Sequence, residues 1–271
     1  MSAADLTETL RQARRHRRLS QLELSLRLGI SQRHLSFVES GRSKPSRGLL
    51  LTWLEELGTP LALRNAALLQ AGFAPAFSSA SLSDSWLAPA QEALLQLLQA
   101  HEPMPAYVLD ADWNVVHLNG GARWLFQTLV PWAAELPESE SINMLELLAH
   151  PQGSTLMMTN LAEVGPALMA QLRDEAAVMP RLAPKVEAFA ALLHERLGPR
   201  HSQAPTSLLP APMVNARFAT PQGELAFFTL FTTFGSPRDI TLSSLRLEHM
   251  FPADARTRDV LENFAATTRE T

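Results

Sequence analysis

Residues 14–47, RRHRRLSQLELSLRLGISQRHLSFVESGRSKPSR, decide the fold of the first part of this chain. Ser20, followed three residues later by Glu23, is the pattern of a capping box, which satisfies two orphan amides at a helix start. The helix it opens is short, with Leu22, Leu24 and Leu28 read as facing inward. Gly29 ends it, because a left-handed C-terminal residue costs glycine least. Ser31 immediately caps a third helix, Gln32 to about Ser40, which Gly41 closes in the same way. Two short helices joined by a tight turn result.

Outward from this stretch, Leu6, Leu10 and Ala13 recur at helical spacing, predicting a first helix from about Asp5 to Arg17 with Asp5 near its cap. Ser46, ahead of Leu49, Leu50, Trp53, Leu54 and Leu57, begins a fourth helix, and Pro60 starts a fifth that fades near Gly72. Residues 1–72 are therefore expected to form a five-helix, mostly α bundle. Charge is distributed unevenly: residues 1–47 hold ten Arg and Lys against four Asp and Glu, so the remainder must carry −10 to give the chain its net −4. A basic end on an acidic protein points to a nucleic-acid-facing module attached to something else, because neutralising phosphates supplies most non-specific DNA affinity.

The quoted stretch resembles the Cro/repressor-type, or XRE-type, helix-turn-helix: Leu-Ser-Gln opening the second helix, Gly29 in the turn, Ser31 capping the next helix, Glu39 followed by Gly41, and Pro45 beyond. In that geometry the N-terminal residues of the recognition helix reach base edges in the major groove. The expected readers are Gln32, Arg33 and Ser36, with His34 ranked lower and Ser31 at the cap. Glutamine can pair with adenine and arginine with guanine. The resemblance implies a phosphate contact from Gln21 and positioning contacts from Arg42, Lys44 and Arg47. It also implies a partly buried structural pair, Arg14 with Glu39.

After Gly72 the stretch FAPAFSSASLSDSW lacks helical periodicity, and residues 73–104 are expected to be a linker plus a connecting helix from about Pro89 to Ala100. From Pro105 the chain reads as a third segment, 105–271. Ala106–Leu109 and Val115–Leu118 flank the polar turn Asp110 to Asn114, as in a hairpin. Helices broken by Pro131 and Pro137 follow to about Ala149. Met157, Leu161, Val164, Leu168 and Leu172 mark another helix, kinked at Pro166, and Leu182 to Leu197 one more. Strands return at Met213–Ala219, Glu224–Phe234 and Ile240–Phe251. The whole predicts an α+β domain: a five-stranded antiparallel sheet with helices against one face.

YVLDADWNVVHLN is similar to the opening hairpin of PAS-like sensor domains. NMLELLAHPQG, NLAEV and GELAFFTLFTTFGSPRDITLSSLRLEHMFPAD resemble the ligand-binding half of the MmyB-like regulators, which sits behind an XRE-type helix-turn-helix. Val164 departs from that family, in which tryptophan follows the acidic residue, and this bears on pocket shape. The resemblance implies a small apolar ligand such as a fatty acid. Few polar groups lie beside the apolar runs, so Asn119, His150, Asn160 and Arg217 are expected as polar anchors. Trp124, Leu147, Met157 and Leu161 are expected from the helices, with Phe227, Thr229 and Phe231 from a strand that looks covered on both faces.

The sequence also excludes much. Zero cysteines removes disulfides, thiolate metal sites and cysteine nucleophiles. There is no G-x-S-x-G elbow, no Gly-rich phosphate loop and no S-x-x-K, and His194-Glu195 lacks the second histidine of a zinc-protease helix. No enzyme activity, cofactor or metal is expected. No run of about 18 apolar residues occurs and no signal peptide opens the chain, so a cytoplasmic protein without a membrane partner is expected. The expected function is a homodimeric regulator reading an inverted repeat in double-stranded DNA under ligand control. The alternative is a DNA binder whose second half is a dimerisation or protein-interaction module without ligand.

Overall fold

The computed structural model describes residues 3–132, 142–198, 215–235 and 237–269. Pro137 and Met213, read as a helix break and a strand start, lie outside them, as does the side chain of Asp5. The chain divides into two compact units, Met1–Asp84 with Gly235–Ser243, and Ser85–Phe234 with Ser244–Thr271. The segment 73–104 is thus shared: 73–84 belongs to the first unit and 85–104 to the second.

In the first unit, α1 (Ala3–His16), α2 (Gln21–Arg27), α3 (Gln32–Glu39), α4 (Arg47–Glu56) and α5 (Leu61–Gln70) surround a core that includes Leu10, Leu24, Leu35, Trp53 and Leu68, all fully buried. Local signals set their ends. The Ser20 hydroxyl accepts from the Glu23 amide while the Glu23 carboxylate accepts from the Ser20 amide, and these bonds hold that carboxylate below its usual range. Gly29 and Gly41 take positive φ of 65° and 76°. One expectation fails: Leu22 is 52 % exposed. At 100° per residue Leu22 lies opposite Leu24 and shares its face with the exposed Leu26, so only Leu24 and Leu28 can point inward.

The first unit also holds Gly235–Ser243. Asp239 pairs with Ser78 in a parallel bridge, its Oδ2 accepts from the Ala80 amide at 3.1 Å, and the Ile240 amide donates to the Ser78 carbonyl at 2.8 Å. The expected strand Ile240–Phe251 is therefore corrected at its start. Asp239 Oδ1 accepts from the Thr241 and Leu242 amides and opens a short helix, α11 (Ile240–Ser244). A local side-chain cap overrides the strand preference of Ile240 and Thr241.

The second unit opens with α6 (Ala88–Ala100) and β1 (Ala106–Leu109), followed by β2 (Val115–Leu118). The helices α7 (Gly120–Leu129), α8 (Met144–Ala149), α9 (Leu161–Val178) and α10 (Ala183–Leu197) come between β2 and β3 (Ala216–Thr220). Met157, expected inside a helix, precedes α9. Then come β4 (Gly223–Thr233), β5 (Arg246–Pro252) and α12 (Ala255–Arg269). α12 was not expected; Asp254 caps it through the Thr257 amide at 2.7 Å, and Leu261 is fully buried.

All strand pairs are antiparallel, in the order β2-β1-β5-β4-β3, and the sheet with its helical insertion is the PAS-like α+β arrangement expected. On β4, Leu225 and Phe227 are buried in the main core. The opposite face is covered only in part: Ala226 is buried and Phe228 stacks on Phe251, but Leu230 is 51 % exposed. No helix among the described residues is long and apolar enough to cross a membrane.

Candidate DNA interface and ligand cavity

α3 turns Leu35, Val38 and Glu39 into the core of the first unit, which leaves Arg33, Ser36, Phe37 and Ser40 on the opposite arc. Ser31, Gln32 and Arg33 are exposed at its start, Ser36 and His34 are half-buried, and the Ser31 hydroxyl accepts from the His34 amide at 3.1 Å. Arg42, Lys44 and Arg47 are exposed on the following segment. Sequence reasoning missed Phe37. Its ring lies 5.2 Å from the Arg33 guanidinium carbon and 5.8 Å from that of Arg42, and its carbonyl accepts from the amides of Arg42 and Ser43. One aromatic ring thus gathers two cations that the sequence presents separately.

Behind this surface Glu39 is nearly fully buried. It accepts from Arg14 Nε at 2.7 Å and Nη2 at 2.9 Å, and this bidentate pair raises the Arg14 pKa. Arg14 Nη1 donates to the Leu19 carbonyl, so the pair also holds the turn ahead of α2. Gln21 joins the pair: its Nε2 donates to Glu39 Oε2 at 2.8 Å. One N–H of its side-chain amide thus has a partner within the protein, which leaves the second for the phosphate contact expected of Gln21.

In the second unit a cavity of about 290 Å³ lies between the sheet and the helices. Leu125, Leu147, Val164 and Gln171 line it from α7, α8 and α9, and Tyr107, Thr229, Phe231, Glu248 and Met250 from the sheet. Of the expected ligand residues the wall takes in Leu147, Thr229 and Phe231. The other eight stand outside it, each for a visible reason. Asn119 caps α7 and is consumed by backbone: its Oδ1 accepts from Ala106 and Ala122, and its Nδ2 donates to Leu98 and Met104. Asn160 is likewise tied to the backbone of Asn215 and Arg217. His150 packs against the Trp132 ring at 4.5 Å, and Trp124 stacks on Phe264 of α12 at 5.2 Å. The Met157 carbonyl accepts from the Ala219 amide, Leu161 and Phe227 are packed in the core, and Arg217 is exposed. Val164, where the chain departs from the resemblance, does line the cavity.

The residue that sequence reasoning missed here is Glu248. It stands on β5 between Tyr107 of β1 and Phe231 of β4 in register. Burial pushes its carboxyl up to about 7, against the hydrogen bond from Tyr107, the charge of Arg246 and the hydrogen bond from Thr229. Burial and the neighbouring Glu248 together push the Tyr107 hydroxyl well above its ordinary value. Arg246 is engaged elsewhere: Nη1 donates to Glu175 Oε1 at 2.9 Å, and the guanidinium lies 3.8 Å from the centre of the Trp113 ring. The sequence did not single out Glu248, a carboxylate in a strand that also carries Arg246 and His249.

A search of curated proteins returns no match. Two family models match the chain: one described as helix-turn-helix, over residues 10–63, and one described as MmyB-like transcription regulator ligand binding domain, over residues 90–263. The first covers α2, α3 and α4 with the end of α1 and the start of α5, and the second covers the sheet and every described wall of the cavity. With well over half of its length in the second match, the protein belongs to the MmyB-like transcription regulators, DNA-binding proteins that join a helix-turn-helix to a ligand-binding domain.

Proposed function

We propose that the protein is a cytoplasmic homodimer that reads an inverted repeat through paired α3 helices, and that an apolar, fatty-acyl-like ligand in the cavity changes its affinity for DNA. Gln32 and Arg33 read base edges, while Arg42, Lys44 and Arg47 hold phosphates. Dimeric readers must be spaced by whole turns of the duplex, roughly 34–36 Å, so a small change of pose alters affinity. The observation that carries the ligand reading is the cavity, lined by mostly apolar side chains and walled in part by β4 and β5. Those two strands are joined by Gly235–Ser243, which belongs to the compact unit that contains α3. Movement of the strands on ligand binding thus has a covalent route to the DNA-reading unit.

The test combines binding and stability. Gln32→Ala or Arg33→Ala should abolish preference at one base position, each at a cost of about 1–3 kcal/mol, whereas Arg42→Ala should weaken all sequences alike and reduce the salt slope. Equal loss on specific and random duplexes for all three overturns the assignment of readers. A medium-chain amphiphile at about 100 times its Kd should stabilise the protein by roughly 2.7 kcal/mol and change its affinity for operator DNA. If no apolar ligand moves the melting temperature, the second half acts without one.

A further inference from the structure

We propose that the cavity selects an amphiphile whose head donates hydrogen bonds, an alcohol, amide or amine, by seating it on the Glu248 carboxyl between Tyr107 and Thr229, and that it discriminates against an ionised carboxylate. This rests on the apolar-ligand reading and specifies the polar end of that ligand.

The polar groups around Glu248 carry the inference. Tyr107 of β1, paired in register with Glu248, and Thr229 of β4 line the cavity with it, and an ionised carboxyl can only accept from the hydroxyls beside it. From α9, Gln171 lines the same cavity, but its Nε2 donates to Glu175 Oε1 at 3.1 Å. Trp113, also on the wall, donates its indole N–H to Glu175 Oε2 at 3.0 Å. From β5 itself, Arg246 pairs with Glu175 and stacks on Trp113, and it is not among the cavity-lining residues. The Trp113 N–H and one Gln171 N–H are committed to Glu175, the Arg246 Nε is buried without a partner and stands off the wall, and the acceptor capacity of the carboxyl, the two hydroxyl oxygens and the Gln171 carbonyl oxygen exceeds the donors left on it. A head group that supplies N–H or O–H completes this set. A carboxylate head brings more acceptors and, against ionised Glu248, a like charge beside a mostly apolar wall.

Because Glu248 titrates near 7, the two charged head groups respond to pH in opposite directions. As pH rises through 7 Glu248 gains its charge, which strengthens binding of a cationic head and weakens that of an anionic one. Below that point the neutral carboxyl can donate its own proton to a carboxylate ligand.

The experiment uses the full-length protein and three ligands of equal chain length, decanol, decylamine and decanoate, with calorimetric Kd values at pH 6 and pH 8. At pH 8 decanol and decylamine should bind at least tenfold more tightly than decanoate, and between pH 8 and pH 6 the decanoate affinity should rise while that of decylamine falls. Glu248→Gln, with its fold checked by near-UV circular dichroism, should remove both pH dependences. The wild-type pH series needs no variant, so it stands even if Glu248→Gln does not fold. Decanoate binding at pH 8 as tight as that of decanol, or parallel pH slopes for decanoate and decylamine, overturns the head-group assignment and leaves the apolar-ligand reading intact. Failure of all three ligands to bind overturns the apolar-ligand reading itself.

Discussion

Glu39→Ala should destabilise the first unit selectively. In the folded protein the Glu39 side chain is 2 % exposed and Arg14 12 %, and the carboxylate takes two bonds from Arg14 and one from Gln21. Removing the carboxylate leaves a guanidinium in a largely dry site with one remaining partner, the Leu19 carbonyl. Breaking a buried pair from one side costs about 3–5 kcal/mol, a large share of the roughly 5–15 kcal/mol that holds a domain folded. Arg14→Met combined with Glu39→Leu removes both charges and should recover most of the loss, since a hydrophobic replacement of the whole pair is often neutral. Urea titration followed by fluorine NMR of 5-fluorotryptophan reads the effect: Trp53 is the sole tryptophan of the first unit, is fully buried, and reports on it alone. A Trp53 midpoint displaced by less than about 1 kcal/mol in Glu39→Ala would refute the reasoning. So would a double variant as unstable as the single one, which would make the shape of Glu39 rather than its charge the decisive property.

Two further outcomes are expected. Phe37→Ala releases both Arg33 and Arg42 from the ring they share; at about 0.5–1 kcal/mol for each exposed cation–aromatic contact, DNA affinity should fall roughly 5–30-fold. The salt slope should not change, because no phosphate-binding charge is lost, and a changed slope in a gel-shift titration at several ionic strengths would contradict this. Asp239→Ala should loosen Gly235–Ser243 from residues 78–80 and lower the stability of the first unit. Burial acts to raise the Asp239 pKa but is outweighed by hydrogen bonds from Ser78, Ala80, Leu242 and Thr241, which hold it below its ordinary value. A carboxylate whose pKa is lower folded than unfolded stabilises the protein above its unfolded value, about 3.9, and that contribution is lost as pH falls through the folded value. The gap in urea midpoint between wild type and variant should therefore be constant above about pH 5 and narrow in acid; a gap that persists to the lowest pH would assign the effect to packing instead.

The DNA-reading unit was legible because its signals act over three or four residues. Ser20 with Glu23, Ser31, Ser46, Gly29 and Gly41 each mark a helix end through a bond or a backbone conformation that needs no distant partner. The error at Leu22 came from reading apolar residues without the 100° step that separates them on a helix. The error at Ile240 came from trusting strand propensity next to an aspartate able to cap. The ligand residues were harder to read because an isolated polar residue beside apolar runs can serve a pocket or the backbone, as Asn119 shows: its side chain caps α7 at Ala122 and bonds the backbone of Leu98, Met104 and Ala106.

Taken alone, the amino-acid order determined the helix-turn-helix, the hairpin, the antiparallel sheet and the division of charge, since capping, periodicity and turn chemistry are properties of neighbours along the chain. Only the tertiary structure decided that Glu248 meets Tyr107 and Thr229 at an apolar cavity, that Phe37 collects two arginines, and that Gly235–Ser243 joins the first unit. Each of these depends on residues from separate elements meeting in space or on how one chain segment is shared between compact bodies, and a carboxylate's titration or a cation's orientation is set by that company rather than by its place in the chain.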